Sequence, residues 1–375
     1  MSQRDYIRTE VVVVDAARPE PAIIERAARL LRGGGVVVFP TETVYGLGAD
    51  VFQPEALERI FAAKGRPYSD PLIAHIADEG ALELLATDIP EQARRLASVF
   101  WPGPLTLILP RGPRVPYLVT AGLETVAVRM PRHPVSLALI RALGSPIAAP
   151  SANRFMHVSP TTAQHALADL AGRVPLILDG GSCEVGVEST VLDLCSETPV
   201  ILRPGGVSLE ALRSVVPDVQ PPRYSKVGGT AQAEEKGQWA RQAQQSPGQL
   251  PTHYAPAVPL LLYDGNVVSM REVMLAESRQ RQAQGERVGV LIADEDVAAF
   301  QHSGALVHSL GSAANPAQIA SSLFNGLRTL EDADVQVILC RNFDDGGMGL
   351  AIRDRLLKAA GGRVIEVDNE QIYYP

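Results

Sequence analysis

Short apolar runs alternate along the chain with stretches of helical period, and this alternation predicts the secondary structure. From residue 10 to about 212, the runs that fit buried strands are VVVVD, GVVVFP, PLIAHI, PLTLILP, VAVRMP, PIAAPSA, LILDGG, STVLDL and VILRPGG. The stretches with helical content between them are 21–32, 54–64, 78–99, 134–143 and 160–171. Ser159 and Pro160 predict the N-cap and first-turn proline of the last of these helices. The pattern indicates an α/β domain with a large twisted open sheet.

A different pattern begins near Pro217, where the chain becomes rich in glycine, proline, glutamine and charge. Long loops without periodicity are usually functional or disordered, so we expect a linker or lid at 213–256. Beyond it, the strand candidates are VPLLLYD, RVGVLIAD, ALVHSL, VQVILC and RVIEVD, and the helical segments are 269–283, 315–330 and 349–360. This spacing predicts a smaller, Rossmann-like parallel α/β domain at 257–375, after a first domain at 1–212. No GxGxxG follows its first strand, which disfavours dinucleotide binding there.

One apolar run leads directly into a turn crowded with polar side chains. Thr41, Glu42, Thr43 and Tyr45 follow the strand candidate at 36–39. Ligands of open α/β sheets bind beyond the carboxyl ends of strands, so these side chains are candidates for substrate contacts. The alternative is that they only cap the next helix.

Composition limits the classes of protein to which the chain can belong. With 375 residues, of which 46% are hydrophobic and 20% charged, it has the composition of a soluble globular protein of two domains. No apolar run approaches the ~20 residues of a membrane helix and no signal peptide is visible, so we expect a cytoplasmic protein without membrane contact. The net charge of −8 argues against broad binding of nucleic acid but leaves a local basic cleft open. The three cysteines and seven histidines show no metal-ligand spacing.

Four basic residues stand where a purely structural strand or turn would not place them. Lys64 and Arg66 follow a helix and precede a strand, where the alternative is a C-terminal helix cap. Arg129 and Arg203 each end a strand rich in valine and isoleucine, where an unpaired guanidinium would cost several kcal/mol. These arginines need anions, which a protein carboxylate or a triphosphate would supply.

Hydroxyl and amide groups occur at equivalent places in two later segments. Ser151 and Asn153 follow a strand that ends at Pro150, Ser159 follows after a loop, and Ser189 opens the strand STVLDL. The alternative interpretation is an ordinary turn and a helix cap, although a helix N-terminus also binds anions. The sequence has no GxSxG or Walker loop, so we expect the chemistry to depend on positioning and charge neutralisation.

Taken together, these segments resemble the YrdC-type threonylcarbamoyl-AMP synthase family. The segments that carry the resemblance are PTETVYGLGAD, KGRPYSDPLIAHI, WPGPLTLILP, VAVRMPRHP, APSAN and GVESTVLDL followed by ILRPGG. SPGQLPTHYAP at 246–256 is similar to the linker signature of the family's two-domain form. The resemblance implies that L-threonine, bicarbonate and ATP give threonylcarbamoyl-AMP and pyrophosphate. The product would serve a downstream tRNA threonylcarbamoyl-transferase complex, with transient tRNA contact.

The resemblance also implies roles for individual residues. Lys64 and Arg66 would be catalytic, with Mg2+ bound through the ATP phosphates. The implied threonine-binding residues are Thr43, His75, Arg129, Ala149 and Ser189. The implied nucleotide-binding residues are Arg66, Asp70, Thr125, Ser151, Asn153, Ser159, Arg203 and Tyr254.

Two departures from the family pattern affect these roles. Asp70 stands where the family often has asparagine, and its carboxylate would repel phosphates unless a metal or Lys64 lies between. The linker signature usually contains Pro-Gly-Met, whereas this chain has Gln249 after Gly248. Two other functions stay open as alternatives. One is an RNA-binding module, and the other is a carbamoyl-transfer domain that uses carbamoyl phosphate.

Overall fold

The computed structural model describes residues 7–222 and 243–367, which divide into two compact units. Within these ranges, the first unit extends to Phe155 and continues from Ser159 to Gln249. The second unit contains Met156–Val158 and everything from Leu250 onwards. Of the predicted linker at 213–256, residues 223–242 lie outside the described residues, and 243–249 belong to the first unit.

Ten strands of the first unit form one mixed sheet. They are β1 Glu10–Val13, β2 Val37–Phe39, β3 Gly46–Asp50, β4 Ile73–His75, β5 Leu105–Pro110, β6 Thr125–Arg129, β7 Ile147–Ala148, β8 Leu176–Asp179, β9 Thr190–Asp193 and β10 Val200–Arg203. Their order is β1-β8-β2-β3-β7-β4-β6-β5-β9-β10. The β4–β6 and β5–β9 pairs are parallel, while β5–β6 and β9–β10 are antiparallel. The expected α/β class with a large sheet is confirmed.

The strand β3 was not predicted, because its sequence GLGAD lacks the apolar run on which the prediction relied. It pairs antiparallel with β2, and all of its residues are buried. Gly48 shows why glycine is needed in this strand. A Cβ there would lie 2.6 Å from Ile147 Cγ2 and 2.7 Å from Phe39 Cε1. The close approach of three strand segments therefore depends on the missing side chain.

Eight α-helices cover this sheet in the described part of the first unit. They are α1 Pro21–Arg32, α2 Pro54–Lys64, α3 Leu82–Leu85, α4 Glu91–Phe100, α5 Tyr117–Thr120, α6 Pro134–Leu143, α7 Ala163–Leu170 and α8 Leu209–Val215. The single helix predicted at 78–99 is wrong, because the chain leaves the helix after Leu85 and Pro90 starts a new one. The predicted cap of α7 is also wrong. Thr162, not Ser159, accepts the capping hydrogen bond from His165 N, so the helix begins three residues later.

The second unit is a parallel α/β sandwich of five strands, which confirms the expected smaller domain of this class. The strands are β11 Leu260–Gly265, β12 Val288–Ile292, β13 Leu306–Ser309, β14 Val337–Arg341 and β15 Val364–Val367. The helices are α9 Val267–Ala283, α10 Val297–Phe300, α11 Pro316–Asp332 and α12 Gly349–Ala360. The strand order is β13-β12-β14-β11-β15, and every pair is parallel. The core is built around Tyr263, Met270, Val290 and Leu339.

Candidate functional site

The predicted threonine-binding residues meet where β4 and β6 end. These two strands pair in parallel with His75 opposite Arg129, so both side chains lie at the same edge of the sheet. Arg129 Nη1 donates a hydrogen bond to Thr43 Oγ1 at 2.9 Å. The Ile73 carbonyl lies 3.1 Å from His75 Nδ1 and accepts the Ala149 amide at 2.9 Å. Strand pairing therefore brings four residues together from segments distant in sequence.

Arg129 has a protein counter-ion in this arrangement. Its Nη2 lies 2.7 Å from Glu42 Oε1, and both side chains are almost fully buried. Glu42 Oε2 also accepts the Arg132 amide at 3.0 Å. Burial on its own raises the pKa of Glu42, but the Arg129 guanidinium and hydrogen bonds from backbone amides together hold the pKa below its usual range. Of the two anions that the sequence left open for Arg129, the structure supplies the protein carboxylate.

His75 is buried and electrically neutral near physiological pH. Burial, reinforced by the adjacent Arg129 charge, lowers the pKa of His75 to about 3. The distance to the Ile73 carbonyl assigns the proton to Nδ1 in the neutral ring. His75 therefore offers a fixed hydrogen-bonding surface rather than a titrating charge.

Lys64 holds the loop that carries the predicted nucleotide contacts. Its Nζ donates to the Ser151 and Asn153 carbonyls, each at 2.6 Å, and Ser151 Oγ donates to Asn153 Oδ1 at 2.5 Å. Burial and the neighbouring Arg66 lower the pKa of Lys64 well below its usual range. An incoming polyanion would favour the charged ammonium, so ligand binding and protonation of Lys64 are coupled.

Asp70 lies among the predicted phosphate-binding cations. Its Oδ1 is 2.9 Å from Arg66 Nη2, and the side chain is 1% exposed. Burial raises the pKa of Asp70, while the charges of Arg66, Lys64 and Arg203 act in the opposite direction. The three cations are therefore close enough to one carboxyl group to influence its ionisation, as expected for a shared anion site.

Arg203, at the end of β10, is fixed against the start of β9. Its Nη2 donates to the Ser189 carbonyl at 3.0 Å, and its Nη1 donates to the Pro247 carbonyl at 3.3 Å. Ser189 Oγ is 2.7 Å from Thr106 Oγ1. Gly205 permits this approach, because a Cβ there would lie 2.3 Å from the Glu188 carbonyl oxygen.

Ser159 joins the same region through a carboxylate. Its Oγ donates to Glu188 Oε1 at 2.5 Å, and both side chains are buried. Because α7 begins at Ala163, Ser159 precedes the helix and does not offer the helix N-terminus that the sequence suggested as an anion site. Its proposed contact with the nucleotide therefore depends on the side chain alone.

Thr125 lies at the opposite end of β6 from the threonine-binding cluster. Thr125 opens β6 and Arg129 closes it, so at about 3.3 Å per residue they are about 13 Å apart. Tyr254 belongs to the second unit, where its ring stacks on Phe324 at 5.6 Å and Arg355 lies 4.9 Å from its centre. The nucleotide contacts of Thr125 and Tyr254 stay predictions.

Three site features were missed by reasoning from the sequence. Glu42 was noted only as a polar residue after a strand, and its pairing with Arg129 was not foreseen. Thr106 gave a usable signal, since a lone hydroxyl interrupts the buried strand LTLILP. The Pro247 carbonyl gave none, because a backbone oxygen has no signature in the sequence.

Comparison with known proteins decides the family. A family model described as "Telomere recombination" matches residues 29–205, and one described as "Threonylcarbamoyl-AMP synthase, C-terminal domain" matches residues 207–361. The threonylcarbamoyl-AMP synthase of Bacillus subtilis strain 168 is 45% identical over 356 residues, which cover 95% of this chain and 98% of the relative. This chain belongs to the threonylcarbamoyl-AMP synthase family. The resemblance inferred from the motifs is thereby confirmed, and so is the expectation of an enzyme.

Other members of the threonylcarbamoyl-AMP synthase family extend the match to solved structures. The synthase of Pyrococcus abyssi strain GE5 is 42% identical over 362 residues, covering 95% of this chain and 99% of the relative. The crystal structure of P. abyssi Sua5 with L-threonine has a TM-score of 0.86 at 41% identity, covering 96% of this chain and 99% of that one. A P. abyssi Sua5 variant with a histidine and the following tyrosine changed to alanine has a TM-score of 0.84 at 39% identity, covering 96% of this chain and 100% of that one.

In this synthase-family chain, the described residues contain no cluster of three or more His, Cys, Asp or Glu side chains that fits a metal ion. Cys183, Cys195 and Cys340 are free thiols, and burial raises the pKa of each. Over the same ranges, no helix combines the length and apolar character needed to cross a membrane.

Proposed function

We propose that this chain condenses L-threonine, bicarbonate and ATP into L-threonylcarbamoyl-AMP and pyrophosphate. The product is the donor for threonylcarbamoyladenosine formation in tRNA. The observation that carries the proposal is the gathering of Lys64, Arg66 and Arg203 around Asp70, each cation at least 93% buried, in a chain of net charge −8. Buried cations beside hydroxyl groups form the kind of environment that stabilises a transferring phosphoryl group.

The reaction requires alignment and charge stabilisation more than a covalent nucleophile. The threonine amine takes up CO2 to form a carbamate, whose oxygen attacks the α-phosphorus and displaces pyrophosphate. Lys64, Arg66 and Arg203 would neutralise the phosphates, and their common electrostatic influence on Asp70 supports this assignment. Ser151, Asn153 and Ser159 would contact the nucleotide. No described side chain then needs to act as a nucleophile.

The threonine pocket would be formed by the cluster at the ends of β4 and β6. Arg129 would bind the substrate carboxylate, while Glu42 holds the guanidinium in a fixed orientation. Thr43, Ala149 and neutral His75 would complete the pocket, with Ser189 at its border. The P. abyssi Sua5 crystal structure is a complex with L-threonine, which supports this substrate.

Mg2+ would enter with ATP. Magnesium usually keeps phosphate and water ligands and takes only one or two carboxylates from the protein. Asp70 fits this pattern, because its buried Oδ2 has no hydrogen-bond partner in the described structure. Asp70 would hold the ion against the phosphates, and the ion would neutralise charge that develops on the leaving pyrophosphate. A carboxylate at position 70 is then compatible with a triphosphate nearby.

The biological setting that we propose is cytoplasmic delivery of the product to a tRNA threonylcarbamoyl-transferase complex. Contact with tRNA would be transient and local, since the chain is acidic as a whole. Tyr254 would take part in turnover, because the His253–Tyr254 dipeptide is the only His-Tyr sequence in this chain and the P. abyssi variant changes such a pair.

The decisive experiment measures pyrophosphate release by the purified chain with ATP and Mg2+, omitting L-threonine or bicarbonate in turn. Mass spectrometry of the reaction should show threonylcarbamoyl-AMP only when all substrates are present. Arg203→Ala should abolish most of the release, whereas Arg213→Ala, on α8, serves as a matched control outside the site. Release that is indifferent to threonine would contradict the proposal.

A further inference from the structure

The second unit contains a cavity that the synthase reaction does not use. Its volume is about 430 Å³, within the range of about 300–1,000 Å³ that is typical of small-molecule sites. The cavity lies at the carboxyl ends of β11, β12 and β14. In parallel α/β sheets, ligands bind at this edge, where neighbouring strands lead to helices on opposite faces.

The strand order creates a topological switch point at the cavity, that is, a place where two neighbouring strands lead to helices on opposite faces of the sheet. From β11 the chain crosses β14 to reach β12, and from β14 it crosses β11 to reach β15. Because parallel crossovers are right-handed, these oppositely directed connections place α9 and α12 on opposite faces of the sheet. The crevice between β11 and β14 therefore opens between the starts of two helices.

The floor of the cavity presents one hydrogen-bond donor that has no acceptor among the described residues. Asn342 is 3% exposed, and its Nδ2 has no hydrogen-bond partner among the described residues. Its Oδ1 is already used, because it accepts the Phe343 amide at 3.0 Å. Next to it, Arg341 Nε lies 3.0 Å from Asp296 Oδ2. A buried amide donor without an acceptor is costly, so the site favours a ligand that supplies an acceptor.

The rim of the cavity has the opposite character. Its acidic residues are Asp264, Glu295, Asp344 and Asp345, while the fifth acidic lining residue, Asp296, is buried beside Arg341. Only Arg341 and Arg353 among the lining residues oppose them, so the lining carries an excess of negative charge. Carboxylates at this edge accept hydrogen bonds from hydroxyl groups, as the acidic residue of dinucleotide-binding folds does from a ribose. The same charges repel a polyphosphate.

Apolar surface completes the wall. Met270 is buried in the first turn of α9, and Phe343 follows Asn342 along the chain. A flat heterocycle fits such surfaces, while its ring nitrogens and carbonyls offer the acceptors that the floor requires. We propose that this cavity binds an uncharged nucleoside, with the base against Asn342 and Arg341 and the ribose hydroxyls towards the acidic rim.

The test is equilibrium binding of adenosine, guanosine, cytidine and uridine to the full chain. The α,β-methylene analogue of ATP, present at saturation, blocks the nucleotide site proposed in the first unit. At least one nucleoside should bind under these conditions, and Asn342→Leu should weaken its binding at least tenfold. Asn325→Leu makes the same chemical change at an exposed position of α11 and should leave binding unchanged.

Two further readouts keep the result decisive if Asn342→Leu folds poorly. Asn342→Asp retains the size of the side chain but replaces the donor by an acceptor, and it should weaken binding as well. In the unchanged protein, hydrogen exchange should slow at residues 342–349 when the nucleoside is added. The proposal is overturned if no nucleoside binds, if the analogue abolishes binding, or if binding is insensitive to position 342. None of these outcomes depends on whether the chain synthesises threonylcarbamoyl-AMP.

Discussion

Both units contain a strand that ends in a buried arginine paired with a carboxylate, Arg129 in the first and Arg341 in the second, and these two arginines have different surroundings. Arg129 closes β6 and pairs with Glu42 at 2.7 Å, and its other amino group donates to Thr43. Arg341 closes β14 and lies 3.0 Å from Asp296, which it shares with Arg271 at 2.7 Å. Among the described residues, Arg129 is the sole cation in an ion pair with Glu42. Asp296, in contrast, forms ion pairs with both Arg341 and Arg271.

The two strand ends therefore differ in what they offer a ligand: fixed buried charges in the first unit and an unused hydrogen-bond donor in the second. In the first unit, hydroxyls and carbonyls hold the cations in place, as catalysis by fixed charges requires. In the second unit, Asn342 retains an unused donor beside an open cavity, which suits recognition of a neutral ligand. The same topological position thus carries charge stabilisation in one sheet and hydrogen-bond recognition in the other.

Arg129→Ala should have the largest effect, because it leaves the buried Glu42 carboxylate without its counter-charge. Breaking a buried ion pair in this way costs about 3–5 kcal/mol of stability. Loss of the proposed threonine anchor should also lower pyrophosphate release by at least about 100-fold. Urea unfolding and hydrogen exchange in β6 measure the loss of stability, and the release assay measures the loss of activity.

Arg341→Ala is the matched change in the second unit. Asp296 keeps Arg271 as a partner, so hydrogen exchange in β14 should accelerate less than exchange in β6 does after Arg129→Ala. Arg132→Ala removes a half-exposed pair with Glu184 and should cost about 0–1 kcal/mol. If hydrogen exchange accelerates equally in β6 and β14, the number of cations around each carboxylate does not determine how much each arginine stabilises its sheet.

Lys64→Met should have the next largest effect. The variant keeps the length of the side chain but removes the donors to the Ser151 and Asn153 carbonyls. Turnover should fall by roughly 30-fold or more, with a higher KM for ATP, since a buried positive charge near the phosphates is lost. Arg59→Met removes an exposed charge from the same helix and should leave both parameters within about twofold. A fall in stability with unchanged KM and kcat would assign Lys64 to the scaffold alone.

Acid should destabilise the first unit through His75. A folded-state pKa of about 3 against an unfolded value of 6.5 means that the unfolded chain binds the extra proton first. The contribution of neutral His75 to the free energy of unfolding is therefore fully present above pH 6.5 and is lost as the pH falls towards 3. At pH 4.5 the loss from this residue amounts to about 2–3 kcal/mol, at about 1.4 kcal/mol per pH unit.

Urea titrations between pH 7 and 4.5 measure this loss. His75→Gln should remove that part of the pH dependence. His308, on β13 of the second unit, is only half-buried, and burial lowers its pKa, so His308→Gln should change the slope less. If the two variants flatten the profile equally, burial of His75 in the cluster is not what sets its pKa.

The sequence predicts features that depend on neighbouring residues better than features that depend on contacts between distant segments. Hydrophobic periodicity is local, and it located α1, α2, α6 and α12 with their observed bounds. The strand β3 was missed because its glycines serve contacts with Phe39 and Ile147, which only the folded sheet reveals. Likewise, Arg129 required an anion on local grounds, but choosing Glu42 required the pairing of distant segments. Local chemistry predicts the need for a partner, and topology selects the partner.

Thr125 gives the smallest expected effect and the sharpest test of that distinction. The motif assigns it to the nucleotide, yet it opens β6 at the end opposite Arg129, with Pro110 as its register partner. Thr125→Ala should therefore change the KM for ATP by less than about twofold, within the range of surface substitutions. Ser151→Ala, which removes a hydroxyl from the Lys64-bound loop, should raise the same KM more. If Thr125→Ala has the greater effect, resemblance of motifs locates nucleotide contacts better than the sheet register does.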